Sequence, residues 1–112
     1  MRQVDKHLEE KLKDPYFKEL YELEEQKLDI VKRVIDYRIK HNLTQGQLAK
    51  RIGVSQQHIS KIENGEFSNI ATLEKILLFI GFKVRFEVVP LQKRIKEQIL
   101  RARSLKIHPQ MA

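Results

Sequence analysis

The 112-residue chain contains no cysteine and no tryptophan, and it has only four glycines and three prolines. Without cysteine it can form no disulfide, no thiolate metal site and no cysteine nucleophile. No apolar run approaches the length of about 18 residues that a membrane span requires. The charged N-terminus also lacks the apolar region of a signal peptide. We therefore expect a cytoplasmic protein with no membrane partner.

Groups of side chains that would indicate catalysis or metal binding are missing as well. The four histidines are scattered at positions 7, 41, 58 and 108, and none has a second ligand at the spacing that metals use. The chain has no glycine-rich phosphate loop and no credible catalytic grouping of serine, histidine and acid. The sequence therefore predicts no enzyme, no metal site and no cofactor.

Basic residues outnumber acidic ones, which gives a net charge of +7, but the charge is unevenly distributed. Residues 1–28 carry six basic and eight acidic side chains, residues 29–66 carry seven and four, and residues 91–112 carry six and one. The middle and the end of the chain therefore suit a polyanion, whereas the acidic N-terminal segment does not.

Two helix starts and a glycine between them organise residues 43–65. Thr44 is predicted to cap the first helix, and Gln47 three residues later completes a capping box. Ser55 is predicted to cap the second helix, and Gly53 suits the left-handed end of the first. This pattern predicts a helix-turn-helix with a short turn.

The second helix of this pair is predicted to have one polar and one apolar face. The polar face carries Gln56, Gln57, Ser60, Lys61 and Asn64. The opposite face carries Ile59, Ile62 and the stem of Glu63. Glutamine can pair with adenine through two hydrogen bonds, and lysine can reach guanine or a phosphate. The polar face therefore suits the major groove of DNA better than a solvated face of paired Glu and Lys would.

The chain contains the string Thr44-Gln45-x-x-Leu48-Ala49-x-x-Ile52-Gly53-Val54-Ser55-x-x-x-Ile59-Ser60-x-Ile62-Glu63-Asn64-Gly65. This string resembles the helix-turn-helix of the lambdoid phage repressor and Cro family, also called the Xre family. The resemblance implies that the residues facing bases are Gln56, Gln57, Ser60 and Lys61. The residues expected to contact phosphates at helix ends are Thr44, Gln45, Ser55 and Asn64. Gly46 departs from the family, which usually has a good helix former there, at a cost of about 1 kcal/mol.

Arg38 interrupts an apolar helical line and therefore needs a partner. Glu63 faces inward on the second helix, and the resemblance implies a partly buried ion pair between these two positions, with two hydrogen bonds if the geometry allows. The alternative is two separate surface charges.

Helices are predicted on both sides of the helix-turn-helix. Asp14 and Pro15 mark the start of one helix, or of two abutting helices with a break near residues 26–29, that runs to about position 41. Asn42 suits the end of this stretch because it tolerates the left-handed conformation. A further helix that starts after Asn69 closes the bundle.

Residues 83–90 alternate between apolar and polar side chains, which predicts a β-strand with Val84, Phe86 and Val88 on its apolar face. No other segment alternates in this way, so we expect the strand to pair with its own copy around a twofold axis. That homodimer would place two recognition helices about 34 Å apart on a palindromic operator. The alternative is a strand that lies on its own bundle.

The expected fold is mainly all-α: a lambda-repressor-like helix-turn-helix bundle with an N-terminal helical extension, one C-terminal β-strand and a basic C-terminal helix. The expected parts are an N-terminal arm over residues 1–28, a DNA-binding domain over 29–82, the dimerising strand over 83–90 and a basic tail over 91–112. The tail suits three interpretations, which are a frayed solvated tail, a helix that packs on a partner, and a basic arm on DNA phosphates.

The additional segments at both ends resemble the layout of HigA-like antitoxins. In that group the helix-turn-helix represses its own operon, and the remaining surface binds a small ribonuclease toxin related to RelE. An acidic amphipathic arm suits a strongly basic toxin because opposite charges speed encounter. The resemblance implies an autoregulating antitoxin whose partners are double-stranded DNA and a small basic ribonuclease. The alternatives are a stand-alone Xre-family regulator and a protein-interaction domain that never reads DNA.

Overall fold

The computed structural model describes the backbone of residues 3–111 and the side chains of residues 6–103. All regular secondary structure in this part of the chain is helical, which confirms the mainly all-α expectation. The helices are α1 (Gln3–Lys11), α2 (Pro15–Lys40), α3 (Gln45–Ile52), α4 (Gln56–Glu63), α5 (Ile70–Ile80) and α6 (Lys93–Met111). Among residues 3–111, no helix is both long enough and apolar enough to cross a membrane. The chain forms two compact units, one over Glu24–Phe86 and one from the described residues on either side of that range.

The Glu24–Phe86 unit is built around one apolar core. Helices α2, α3, α4 and α5 each contribute side chains to it, mostly at intervals of three or four residues. The largest fully buried side chains are Val34, Leu48, Ile59 and Ile76. Burial of one such side chain stabilises the fold by about 1.5–3 kcal/mol. The core therefore fixes the rotation of α3 and α4 about their own axes.

Helix α2 is continuous over 26 residues, so of the two alternatives that the sequence left open the structure has the single helix, without a break near residues 26–29. The chain has no glycine or proline between positions 16 and 40 that would interrupt the helix. Two ion pairs join successive turns around residues 26–29, where the other alternative had placed a break. Glu24 binds Lys27 at 3.3 Å, and Asp29 binds Arg33 at 3.1 Å.

The ends of α2 follow the signals in the sequence. The Tyr16 N–H donates to Asp14 Oδ1 at 3.0 Å, so Asp14 satisfies one of the free donors at the start of the helix. Asn42, just beyond the last turn, has φ +53°. Both the start of α2 and its left-handed end are confirmed.

The segment between α5 and α6 has no regular secondary structure, so the predicted strand over residues 83–90 is wrong. Alternation identifies the two faces of a strand, but a strand also needs a second one to receive its backbone hydrogen bonds. The described residues contain no such partner. Val84 packs against the core, whereas Phe86 and Val88 are 56% and 101% exposed. The segment is therefore held on the bundle through Val84, and the other two predicted dimer residues face solvent.

The second unit combines residues from both ends of the described chain. Ile95 of α6 is buried and lines a groove together with Leu12 and Pro15. Gln98 Nε2 donates a hydrogen bond to Asp14 Oδ1 at 3.3 Å. The basic tail thus forms a helix, as predicted, and its first turns pack on residues near the start of α2.

Gly53 should be sensitive to substitution because its φ of +86° is left-handed, a conformation that costs other residues about 1–2 kcal/mol. We expect Gly53→Ala to lower the free energy of unfolding, measured by urea denaturation, by about 1–2 kcal/mol. Asn42→Gly is the control, since glycine at a second left-handed position should leave stability unchanged or raise it. A loss of stability with both variants would contradict the conformational explanation.

Candidate nucleic-acid interface

The turn between α3 and α4 is defined by hydrogen bonds at the two ends of α3. The Gln47 N–H donates to Thr44 Oγ1 at 3.1 Å, and the Thr44 N–H donates to Gln47 Oε1 at 2.9 Å. At the other end Gly53 has φ +86° and donates its N–H to the Ala49 carbonyl at 2.8 Å. The structure therefore contains both the capping box and the left-handed glycine that the sequence predicts.

Helix α4 is anchored by its apolar face. Ile59 and Ile62 are 0% and 4% exposed, and α4 cannot rotate without bringing them into water. Gln56 and Gln57 lie on the outward side, and both side chains are exposed. The half-buried members of the predicted base-contacting set are Ser60 and Lys61. The polar face of α4 is thus open to a partner.

Arg38 and Glu63 form a partly buried ion pair with two hydrogen bonds. Arg38 Nε donates to Glu63 Oε2 at 2.8 Å, and Nη2 donates to Oε1 at 3.0 Å. The exposed fraction is 21% for the Arg38 side chain and 7% for that of Glu63. The hydrogen bond to Glu63 raises the pKa of Arg38 against the opposing effect of burial. Because the pKa of Arg38 is raised, the stabilisation linked to it is present at neutral pH and is lost only as the pH rises through the pKa of the guanidinium, so Arg38 remains charged under physiological conditions.

Glu63 has a second donor that the sequence does not indicate. Gln45 Nε2 donates to Glu63 Oε1 at 3.0 Å, and Arg38 Nη1 donates to the Leu43 carbonyl at 3.1 Å. The sequence predicts a phosphate contact for Gln45, but in the structure its amide donor is bound to Glu63. Gln45 begins α3 and Glu63 ends α4, so helical periodicity, which relates residues of one helix, does not connect them. The only indication in the sequence is chemical: an inward-facing carboxylate needs more than one hydrogen-bond donor, so a second partner for Glu63 could have been expected.

The other predicted phosphate contacts lie at helix ends. The Ser55 hydroxyl accepts from the His58 N–H at 3.3 Å and lies 3.0 Å from His58 Nδ1. Thr44 and Ser55 therefore use their hydroxyls as caps, and the remaining first-turn N–H groups of α3 and α4 are the ones suited to an anion. Asn64 ends α4 and is exposed.

This surface can offer hydrogen bonds and positive charge. Lys50 and Arg51 are exposed in the last turn of α3, and Lys61 lies on α4. The ion pairs among the described side chains involve other residues, so none of the side chains of residues 6–103 neutralises these three charges. Within the part of the chain that the structure describes, no group of three or more His, Asp or Glu side chains could hold a metal ion.

The arrangement of α3 and α4 is that of a helix-turn-helix protein, and comparison with known proteins agrees. The helix-turn-helix family model matches residues 34–86. An uncharacterized HTH-type transcriptional regulator of Methanocaldococcus jannaschii is 49% identical over 49 residues, which are 43% of this chain and 74% of that protein. No solved structure matches the chain significantly. The chain belongs to the helix-turn-helix family.

Glu63→Gln should destabilise the protein because it leaves the guanidinium of Arg38 partly buried without its counter-charge. We expect the free energy of unfolding, measured by urea denaturation at neutral pH, to fall by about 2–4 kcal/mol. Glu24→Gln is the matched control. It removes the same charge from an exposed pair with Lys27 and should change stability by less than about 0.5 kcal/mol. Equal effects of the two substitutions would show that the Arg38 pair contributes no more than a surface pair does.

Proposed function

We propose that the protein is a sequence-specific DNA-binding transcriptional regulator. The observation that carries this proposal is the exposure of Gln56 and Gln57 on a helix that Ile59 and Ile62 anchor in the core. A carboxamide can both donate and accept hydrogen bonds, which matches the pattern of groups on base edges in the major groove. Membership of the helix-turn-helix family and the description of the Methanocaldococcus relative as a transcriptional regulator support the same function.

In this proposal, contacts to base edges and contacts to phosphates have different roles. The side chains that read base edges are Gln56, Gln57, Ser60 and Lys61. The groups that bind phosphates are the first-turn N–H groups of α3 and α4, which follow Thr44 and Ser55, and the side chain of Asn64. Gln45 contributes its backbone N–H, because its side chain is bound to Glu63. Phosphate contacts supply affinity for any duplex, and base contacts supply the preference for one sequence.

The regulator acts, in this proposal, as a homodimer on a palindromic operator. A twofold protein matches a twofold DNA site, and one short recognition helix contacts only half of it. Exposed apolar side chains near the end of the Glu24–Phe86 unit are available for a second copy to cover. They include Leu78, which is 64% exposed, and Phe86, which is 56% exposed.

A finer proposal is that the protein is an autoregulating antitoxin of the HigA-like kind, which neutralises a small basic ribonuclease related to RelE. Its support is the part of the chain that the helix-turn-helix family model does not cover. Residues 1–28 carry eight acidic side chains, and Leu20 and Leu23 on α2 are 46% and 49% exposed. Exposed leucines among carboxylates suit a basic protein partner, since charge steers the encounter and apolar contact retains the complex.

The alternative is a stand-alone regulator without a toxin partner. The Methanocaldococcus relative, which is described as a transcriptional regulator, fits this alternative equally well. In that case the acidic arm has another role, and only the DNA-binding part of the proposal stands.

Residues that read bases and residues that bind phosphates should respond differently to substitution. Gln57→Ala should lower affinity for a duplex selected from a random library by about 1–3 kcal/mol and leave affinity for random DNA unchanged. Asn64→Ala should weaken both complexes alike. Fluorescence anisotropy at several salt concentrations would measure both effects. Identical behaviour of the two variants would contradict these roles, and binding without steep salt dependence in the unmodified protein would favour a protein-interaction domain.

The antitoxin proposal predicts that a neighbouring gene encodes a small basic protein that arrests growth when it is expressed alone. Co-expression with this chain should restore growth, and the two proteins should co-purify. Leu20→Lys, which places a positive charge on the acidic arm, should weaken co-purification, whereas Gln57→Ala should not. A gene without a toxic neighbour would favour the stand-alone regulator.

A further inference from the structure

Gly46 lies inside α3 at a position where its backbone does not require glycine. The left-handed glycines of the described chain are Gly53, Gly65 and Gly81, and Gly46 is not among them. Within a helix glycine is less favourable than alanine because it loses more conformational freedom on folding. A reason for glycine at this position must therefore be sought in its surroundings.

The space beside Gly46 is occupied by the side chain of Gln56. A Cβ atom placed on Gly46 would lie 3.1 Å from Gln56 Oε1 and 3.7 Å from its Cδ. The shorter distance is tighter than an ordinary van der Waals contact, so a Cβ here would require the carboxamide to move by a few tenths of an ångström. The third neighbour, Thr44 Oγ1, is 3.9 Å away and would be an ordinary contact. The missing side chain of Gly46 thus makes room for one particular carboxamide.

We infer that Gly46 is a positioning residue for Gln56, and that its missing Cβ sets the place from which Gln56 reads a base. This inference rests on the proposed DNA-binding function. Gln56 Oε1 lies against the first turn of α3, where partial positive charge favours an oxygen atom. Among residues 6–103, no hydrogen bond engages the Gln56 side chain. Its Nε2 group is therefore free to donate to an acceptor on a base edge, such as a purine N7.

Close approach of two backbones, the other common reason for a helical glycine, does not apply here. The three atoms nearest to a Cβ on Gly46 all belong to side chains, and two of them belong to Gln56. Gln56 is exposed, and the two atoms concerned lie at the end of its side chain, so Gly46→Ala would displace the carboxamide rather than α3. The substitution should therefore change DNA reading without unfolding the protein.

A double-mutant cycle on the full chain tests this inference. The DNA probes are the duplex that the unmodified protein enriches from a random library and a random duplex of equal length. Gly46→Ala should weaken binding to the enriched duplex about five- to tenfold, within the range of one base contact, and leave binding to the random duplex unchanged. In a Gln56→Ala background, Gly46→Ala should have no further effect. The thermal unfolding midpoint of Gly46→Ala should be unchanged or raised.

A second measurement needs no DNA. The side-chain amide resonances of Gln56, assigned by their loss in Gln56→Ala, should shift in Gly46→Ala, whereas those of Gln57 should not. Failure of the unmodified protein to enrich any sequence would overturn the proposed function and the inference with it. An enriched sequence that Gly46→Ala binds as tightly as the unmodified protein does would overturn the inference alone. Equal losses from Gly46→Ala with and without Gln56 would do the same.

Discussion

The carboxylate of Glu63 joins three helices of the Glu24–Phe86 unit through hydrogen bonds. It belongs to α4 and accepts from Arg38 of α2 and from Gln45 of α3. A carboxylate with only 7% of its side chain exposed has lost most of its hydration, which is unfavourable unless donors replace the water. Both donors reach it only when α3 and α4 have their observed orientation. The hydrogen bonds to Glu63 therefore favour this orientation of α3 and α4.

Because the apolar core and the Glu63 carboxylate hold α4 in place, the fold does not require the side chains on the outer face of α4. Ile59 and Ile62 pack the inner face of the helix into the core, and Glu63 in its last turn accepts a hydrogen bond from Arg38. The amides of Gln56 and Gln57 are therefore not needed for folding. Side chains that a fold does not use can be changed without loss of stability, so a scaffold of this kind can acquire a different binding preference while its core stays the same.

Local signals in the sequence predicted much of the fold because the interactions behind them span only a few residues. The capping box of Thr44, the left-handed Asn42 and the start of α2 after Asp14 each depend on neighbours within one helical turn. The β-strand failed for the opposite reason. Alternation over residues 83–90 is a local pattern, but a strand also needs a distant backbone partner, and the described chain provides none.

In the candidate site, too, the contacts between helices could not be predicted from the sequence. Exposure of Gln56 and Gln57 follows from helical periodicity once the apolar positions of α4 are known. The bond from Gln45 to Glu63 and the contact of Gln56 with Gly46 cross the turn between two helices, where periodicity carries no information. From the sequence alone, Gly46 is only a residue that lowers the helix propensity of α3. In the structure, the same residue gives room to a side chain ten positions later.

Helix α4 has eight residues and therefore rises by about 12 Å. Base pairs are stacked about 3.4 Å apart, so a segment of this length faces roughly three or four of them. A sequence of three or four base pairs recurs by chance about every 60 to 260 base pairs, whereas a genome offers on the order of a million competing sites. A recognition helix of this length can select one operator only when further base contacts are added to its own, and the homodimer proposed above would supply them from a second α4.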